Sequence, residues 1–200
     1  MAEAAAARLL AVQDLVKTFG PVRAVDGVSI TIAAGEVLGI IGDNGAGKST
    51  FLSLLTGFHR PDSGRILYRG RQVSISSPAV ARHVLGIEMI YQKLELAPDL
   101  TAAENLFLGE EMRRFGLFKA RRAMRERAAA VLGALNTKIR PDDFVGELSG
   151  GEQQVVAIGR ALLFERRIVI MDEPTAAISV QKVEDVLALI KKLKEAGKTV

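Results

Sequence analysis

The spacing of apolar residues changes character several times along the chain, and the changes mark out its elements. Residues 8 to 40 read as short strands with turns: "LLAVQDLV", a break at Gly20-Pro21, then "GVSITIAAGEVLGII". In "VSITI" apolar and polar residues alternate, the pattern of a sheet with one wet face. "EVLGII" is apolar without alternation, which predicts a strand covered on both faces. "STFLSLLTGF" has helical spacing, and Pro61-Asp62-Ser63-Gly64 is a turn into the strand "RILYRG". From about Thr101 to Leu135 the pattern is helical and charged, as in a separate helical subdomain. "RRIVIMDEP" returns to a continuous β-branched strand, and "SVQKVEDVLALIKKLKEAG" is a helix ending at Gly197. Strand, helix, strand, helix implies a parallel sheet covered by helices.

The stretch "GELSGGEQQVV" sets a puzzle, because it opens a helix with two glycines, poor helix formers. Ser149 followed by Glu152 is a capping box, so a helix start is predicted there. Val155, Ile158, Gly159, Leu162 and Leu163 recur at helical spacing and predict one buried face. A capped helix after a turn accounts for this much. The other reading is that bare glycine backbone at a positive helix end awaits an anion.

Composition narrows the classes. Two hundred residues, 48% of them hydrophobic, suit one domain or one core with a subdomain and exclude disorder. The absence of cysteine removes disulfides, zinc-thiolate sites and thiol nucleophiles. "MAEAAAARLLAV" lacks a basic segment ahead of its apolar stretch, and no apolar run reaches the roughly 18 residues of a membrane span. Neither an export signal nor a membrane crossing is expected. The net charge of +4 is partly local, with Arg113, Arg114, Lys119, Arg121, Arg122, Arg125 and Arg127 in one segment. A solvated helix face explains such a cluster, and with almost no aromatics interleaved to stack on bases no nucleic acid is expected as a partner.

Two motifs carry chemistry. Gly42, Asp43, Asn44, Gly45, Ala46, Gly47, Lys48 and Ser49, followed by Thr50, satisfy the phosphate-loop pattern between a strand and a helix. There glycines let amides close around phosphates while the helix dipole favours the anion. Lys48 would reach the β and γ phosphates and the Ser49 hydroxyl would bind magnesium; the alternative is a glycine turn with a surface lysine. In "IVIMDEP" four apolar residues run into two carboxylates, so Asp172 and Glu173 belong at the carboxyl end of the strand, the ligand edge of an open α/β sheet. Asp172 suits a magnesium site and Glu173 a general base; without the phosphate loop, a turn acid before the stop signal Pro174 would serve as well.

Together these residues resemble the ATP-binding-cassette ATPases, the motor subunits of membrane transporters: "GDNGAGKST" resembles their phosphate loop, "LSGGEQQ" their signature, and "IVIMDEP" their magnesium and base strand. The resemblance covers nearly the whole chain. It implies an α/β P-loop NTPase fold with a mixed, mostly parallel sheet, an N-terminal antiparallel β subdomain and an inserted α-helical subdomain. The expected division of this single domain (1–200) is an ATP-binding core with β subdomain at 1–92 and 150–200, and a helical subdomain ending in the signature at 93–149. Gln92 in "MIYQK" resembles the glutamine that touches magnesium and water and faces the membrane subunits, so the expected metal residues are Ser49, Gln92 and Asp172, and the catalytic ones Glu173, Gln92 and Lys48. Phe19 matches the aromatic position that stacks on adenine. ATP and magnesium (Mg2+) are the implied cofactors.

In this family two cassettes pair head to tail, and the signature of one covers the ATP held by the other. Ser149, Gly150, Gly151, Glu152 and Gln153 would therefore act in trans on a partner's nucleotide. The implied partners are a second cassette, as a homodimer, transmembrane permease subunits, and indirectly a solute-binding protein. The implied place is cytoplasmic, peripheral on the inner face of the cell membrane. A soluble cassette acting on ribosomes or DNA is the alternative, although such proteins carry tandem cassettes with a charged linker or an inserted coiled coil.

Two departures qualify the match. Ala176-Ala177-Ile178-Ser179 stands where the family usually has Ser-Ala-Leu-Asp, which puts the usual contact between the two ATP sites in doubt. "DEPTAAIS" is similar to the version in importers of ribose, xylose or fructose, and so points to a monosaccharide. The family's switch histidine lies beyond the strand after "KEAGKTV", and His59 and His83 come too early to supply it. A C-terminal part is thus expected beyond Val200.

Overall fold

The computed structural model describes residues 8–91, 94–114, 118–174 and 180–200. They fall into two compact units, residues 8–89, 167–172 and 194–200 in the first, Ile90–Arg166 and Glu173–Leu193 in the second. The first is built on a four-stranded antiparallel sheet of β1 (Arg8–Phe19), β2 (Val22–Ala33), β3 (Ser63–Tyr68) and β4 (Arg71–Val73), ordered β2-β1-β3-β4. In place of short strands the sequence makes a long hairpin, kept in register by bulges. Leu10 and Val12 point inward by ordinary alternation, which would next bury Asp14. Instead the register shifts between Val12 and Leu15, Asp14 takes a left-handed conformation (φ 49°), and Leu15 becomes the buried residue. Gly64 (φ 87°) fits against this bulge, since a Cβ there would lie 2.4 Å from the Asp14 carbonyl oxygen. In β2, Val28, Ile30 and Ile32 face the core side while Ser29 and Thr31 are exposed, as the alternation predicts.

Helix α1 (Lys48–Leu55) buries Phe51, Leu52, Leu54 and Leu55 in this unit's core. After the short helical segments Pro78–Val80 and Ala81–Leu85 comes β5 (Ile87–Ile90). It pairs with a strand much later in the sequence, β8 (Ile168–Met171), whose Ile168, Val169 and Ile170 are buried as the run "IVIM" predicts. On the other side of β8, Ile168 forms a parallel bridge to Thr199. Val200 in turn donates to Glu36 O and accepts from Leu38 N, both at 2.9 Å. The expectation for "EVLGII" is corrected here: it forms no regular strand, and Val37 and Ile40 are exposed and Ile41 is 97% exposed. Leu38 is the last residue of the stretch to pair with Val200, and among the described residues no ladder continues past it.

In the second unit α2 (Ala102–Leu106), α3 (Arg121–Ala134) and α4 (Gly150–Leu163) surround Leu106, Phe107, Met124, Ala128, Leu132 and Val156. The predicted helical stretch from Thr101 to Leu135 holds the two helices α2 and α3. Gly109 (φ 83°) lies between them, as does an antiparallel pair of two-residue strands, β6 (Arg113–Arg114) and β7 (Phe118–Lys119). Asn105 is fully buried, and its side chain donates to Ala97 O (2.9 Å) and accepts from Ala97 N (2.8 Å), closing the loop ahead of α2. On α4 the predicted stripe is also adjusted. Val155 and Leu162 are half-buried, whereas Gln154, Val156, Ala157 and Ala161 are buried, so burial covers more than one face. Gly159 allows close approach, because a Cβ there would meet Leu106 Cδ2 at 2.8 Å. Helix α5 (Val180–Glu195) follows, with Gly197 (φ 73°) just past its end.

Candidate functional site

The loop from Gly42 to Ser49 ends in the first turn of α1. Ala46 N donates to Asp43 O (3.1 Å), Gly45 takes φ 87° and Gly47 φ 83°, and Phe51 N donates to Gly47 O (2.8 Å), the first helical bond. Gly47 is required twice over. Its φ is left-handed, and an added Cβ would lie 1.9 Å from the carbonyl oxygen of Ala24 in β2. The hairpin strand therefore braces the loop from behind. Asp43, Asn44, Gly45 and Ala46 are exposed and Thr50 is half-buried. A cleft of about 490 Å³ lies beside the loop, lined by Val25, Ile30, Ile40, Gly47, Lys48 and Phe51.

Lys48 arches over this loop, its Nζ donating to Gly42 O (2.8 Å) and Asp43 O (2.9 Å). Both of these contacts are to main-chain oxygens, which carry no formal charge. The next side chain makes the long-range link: Ser49 Oγ donates to Asp172 Oδ1 at 3.1 Å, across 123 residues. A hydroxyl and a carboxylate oxygen at the positive end of a helix are a hard donor set that fits magnesium, which takes its remaining ligands from phosphate and water. The loop conformation, the lysine and this oxygen pair fit a magnesium-bound nucleoside triphosphate. Glu173, the first residue beyond, has φ 45°, a left-handed conformation that costs a non-glycine residue about 1 kcal/mol or more. Gln92 lies outside the described residues, as do Ala176 to Ser179.

In the second unit the capping box forms as predicted. Glu152 N donates to Ser149 Oγ (3.4 Å), and Ser149 N donates to Glu152 Oε2 (2.8 Å). Gln153 Nε2 donates to Val145 O and Leu148 O, both at 3.1 Å, and so fixes the approach to the helix. Ser149 and Gly150 are exposed. Neither Gly150 nor Gly151 has a positive φ, and a Cβ on either would meet nothing within 4 Å. Nothing in the conformation or packing of the described chain calls for glycine here.

Phe19 ends β1 and is 42% exposed. Behind it Asp62 accepts from Lys17 Nζ (2.8 Å) and Thr18 N (2.7 Å). The hydrogen bond from Lys17, followed by that from the Thr18 amide, lowers the Asp62 pKa below its ordinary value. Asp143 is lowered likewise by the hydrogen bond from Arg140.

Sequence reasoning misses several residues. The sequence places Asp62 only in a turn, because its clamp on β1 joins residues 45 apart. Gln154 is buried and its Nε2 donates to Pro174 O (3.2 Å), tying α4 to the residue after Glu173. A glutamine beside predicted apolar positions is the available signal. The brace of Ala24 on Gly47 has none, since alanine in a strand is chemically silent.

A family model described as ABC transporter matches residues 25–176. The chain is 44% identical over 190 residues to the xylose/arabinose import ATP-binding protein XylG of Sulfolobus acidocaldarius, covering 94% of this chain and 75% of that protein. It is 43% identical over 189 residues to the ribose import ATP-binding protein RbsA 1 of Streptomyces avermitilis, covering 94% of this chain but 36% of that one. The chain thus spans three quarters of the first relative and little more than a third of the second. Among solved structures, it is similar to the ADP conformation of an ATP-binding cassette of an ABC transporter, with TM-score 0.84 and 34% identity over 96% of this chain and 79% of that chain. A nucleotide-free ATP-binding cassette from an ABC transporter matches with TM-score 0.83 and 33% identity over the same shares. Among the described residues no helix is long and apolar enough to cross a membrane.

Proposed function

The chain belongs to the ABC transporter family, whose ATP-binding cassettes are ATPases, and on that premise we propose that it powers the import of a monosaccharide by closing head to tail on a second cassette around ATP. The observation that carries the dimer is the glycine pair at the start of α4. Among the described residues neither the conformation of Gly150 and Gly151 nor their packing calls for glycine, which supports a contact of their bare backbone outside the chain. At a positive helix end that contact is an anion, and the capping box holds the end ready before the anion arrives. With Ser149, they would bind the γ-phosphate of a nucleotide on the partner's phosphate loop.

In this reading the loop from Gly42 to Thr50 binds the phosphates through its amides, Lys48 neutralises the β and γ oxygens, and Phe19 supports the adenine. Magnesium, when bound, neutralises charge on the β and γ phosphates; Ser49 and Asp172 would hold it, with Gln92 as a third residue. Glu173 accepts the proton of the attacking water as its oxygen bonds to the γ-phosphorus and the bond to ADP breaks. Its left-handed backbone fits a residue fixed for chemistry rather than for stability. Loss of the γ-phosphate removes what joins the copies, so hydrolysis reopens the pair and can move a permease between two states. The stretch "DEPTAAIS" supports a monosaccharide cargo, and the import names of XylG and RbsA, which are those of pentoses, support a pentose among them.

The test uses Glu173→Gln with magnesium and ATP. Hydrolysis should fall by roughly 10²- to 10⁴-fold while ATP stays bound, and the protein should run as a dimer in light scattering. Adding Ser149→Arg should leave ATP binding intact and return the protein to monomer. Equal dimerisation with and without Ser149→Arg refutes the trans contact. Pentose-stimulated ATPase in the complex reconstituted with its permease tests the cargo.

A further inference from the structure

Phe19 and Phe58 are both well exposed, and one side chain lies against both. His59 meets Phe19 edge to face, with ring centroids 5.1 Å apart and planes at 68°, and meets Phe58 at 5.0 Å and 79°. On the strand side, Lys17 Nζ stands 5.4 Å from the Phe19 centroid and is held by Asp62. Thus one ring at the end of β1 is gripped by an imidazole and an ammonium from separate parts of the chain.

The loop that carries His59 is itself fixed at both ends. Its start hangs from α1, because the Phe58 and His59 amides donate to Ser53 O at 3.0 and 3.2 Å. Gly57 before it has φ 72° and no room for a side chain, since a Cβ would lie 2.8 Å from Ile75 and Ser77. At its other end Asp62 N donates to Val16 O (2.8 Å) while the Asp62 carboxylate takes the Thr18 amide. Helix α1 begins at the phosphate loop, so the helix that would hold the phosphates also sets the ring at its far end. The β1–β2 hairpin closes the circuit, with Val22 paired to Phe19 and Ala24 against Gly47.

We propose that His59 is a positioning residue for nucleobase binding: its imidazole holds the Phe19 ring at the tilt needed to stack on the base, with Phe58 packed edge to face against the same imidazole. This rests on the reading of Phe19 as the adenine-facing ring. The imidazole touches Phe19, not the nucleotide, so its effect appears only when the ligand carries a base. An edge-to-face contact sets the size of that effect at about three- to tenfold in affinity.

The experiment measures binding of magnesium ATP and of magnesium triphosphate, which lacks base and sugar, to the parent and four variants. His59→Ala should weaken ATP about three- to tenfold and leave triphosphate unchanged, which also shows that the phosphate loop remains folded. His59→Phe, which restores an edge, should recover most of the loss. In a Phe19→Ala background, adding His59→Ala should change nothing further, as required of a residue that acts through the ring. If Phe19→Ala weakens ATP but His59→Ala does not, or if His59→Ala keeps its full effect without Phe19, the positioning role is refuted while the Phe19 reading stands. If Phe19→Ala leaves ATP and triphosphate binding both unchanged, the adenine reading fails and this proposal with it. Equal weakening of ATP and triphosphate by His59→Ala also overturns it.

Discussion

Gly47→Ala puts the brace between β2 and the phosphate loop to a quantitative test. The substitution forces an alanine into φ 83° and places its Cβ 1.9 Å from the Ala24 carbonyl oxygen. The left-handed backbone alone costs about 1–2 kcal/mol. Relief of the contact requires loop or strand to retreat by roughly 1 Å, and overpacking of this kind costs about 1–3 kcal/mol more. Gly45→Ala is the control, because Gly45 has φ 87° but an added Cβ there would meet nothing within 4 Å. Urea unfolding without nucleotide should therefore place Gly45→Ala about 1–2 kcal/mol below the parent and Gly47→Ala about 2–5 kcal/mol below it. In thermal unfolding, magnesium ATP at roughly a hundred times its Kd should stabilise the parent by about 2.7 kcal/mol, and much of that response should vanish in Gly47→Ala. If the two variants unfold at the same denaturant concentration, the Ala24 carbonyl does not brace the loop and the reasoning fails.

Lys48→Ala removes charged hydrogen bonds worth about 1.5–3 kcal/mol, so ATP affinity should drop about tenfold to more than a hundredfold in equilibrium titration; unchanged binding contradicts its role. Ser149→Ala deletes the cap of α4 and should lower stability by about 0.5–2 kcal/mol in urea unfolding, with ATP binding to the monomer preserved. The Asp62 carboxyl is lowered in the folded protein, chiefly by the hydrogen bond from Lys17 and then by the Thr18 amide. Its contribution is therefore complete above the ordinary carboxylate value of 3.8 and is lost as pH falls through the lower folded value. Unfolding curves of the parent and Asp62→Asn should differ at neutral pH and converge on acidification, and a gap that persists at the lowest pH refutes this assignment.

Much of the architecture was legible because it depends on local spacing. The alternation in "VSITI", the buried run "IVIM", the cap at Ser149 and Glu152, and the stop at Gly197 each follow from a few neighbouring residues. "EVLGII" misled because an apolar run states a tendency to be covered but not what covers it; burial belongs to the pairing, and the pairing stops at Leu38. The helical character read from Thr101 to Leu135 follows from local periodicity, while the positions of its two helices, on either side of Gly109 and the β6–β7 pair, came only with the structure.

The candidate site divides the same way. The sequence by itself determined which groups are present: a glycine loop with Lys48 and Ser49, two carboxylates ending a buried strand, and a capped helix opening on two glycines. Only the tertiary structure decided which of them meet. Ser49 and Asp172 join across 123 residues, Ala24 closes over Gly47, and His59 reaches Phe19 because Asp62 ties its loop to β1. A chemical type is a property of one residue and can be read in place, whereas a distance between remote side chains is fixed by every strand and turn folded between them.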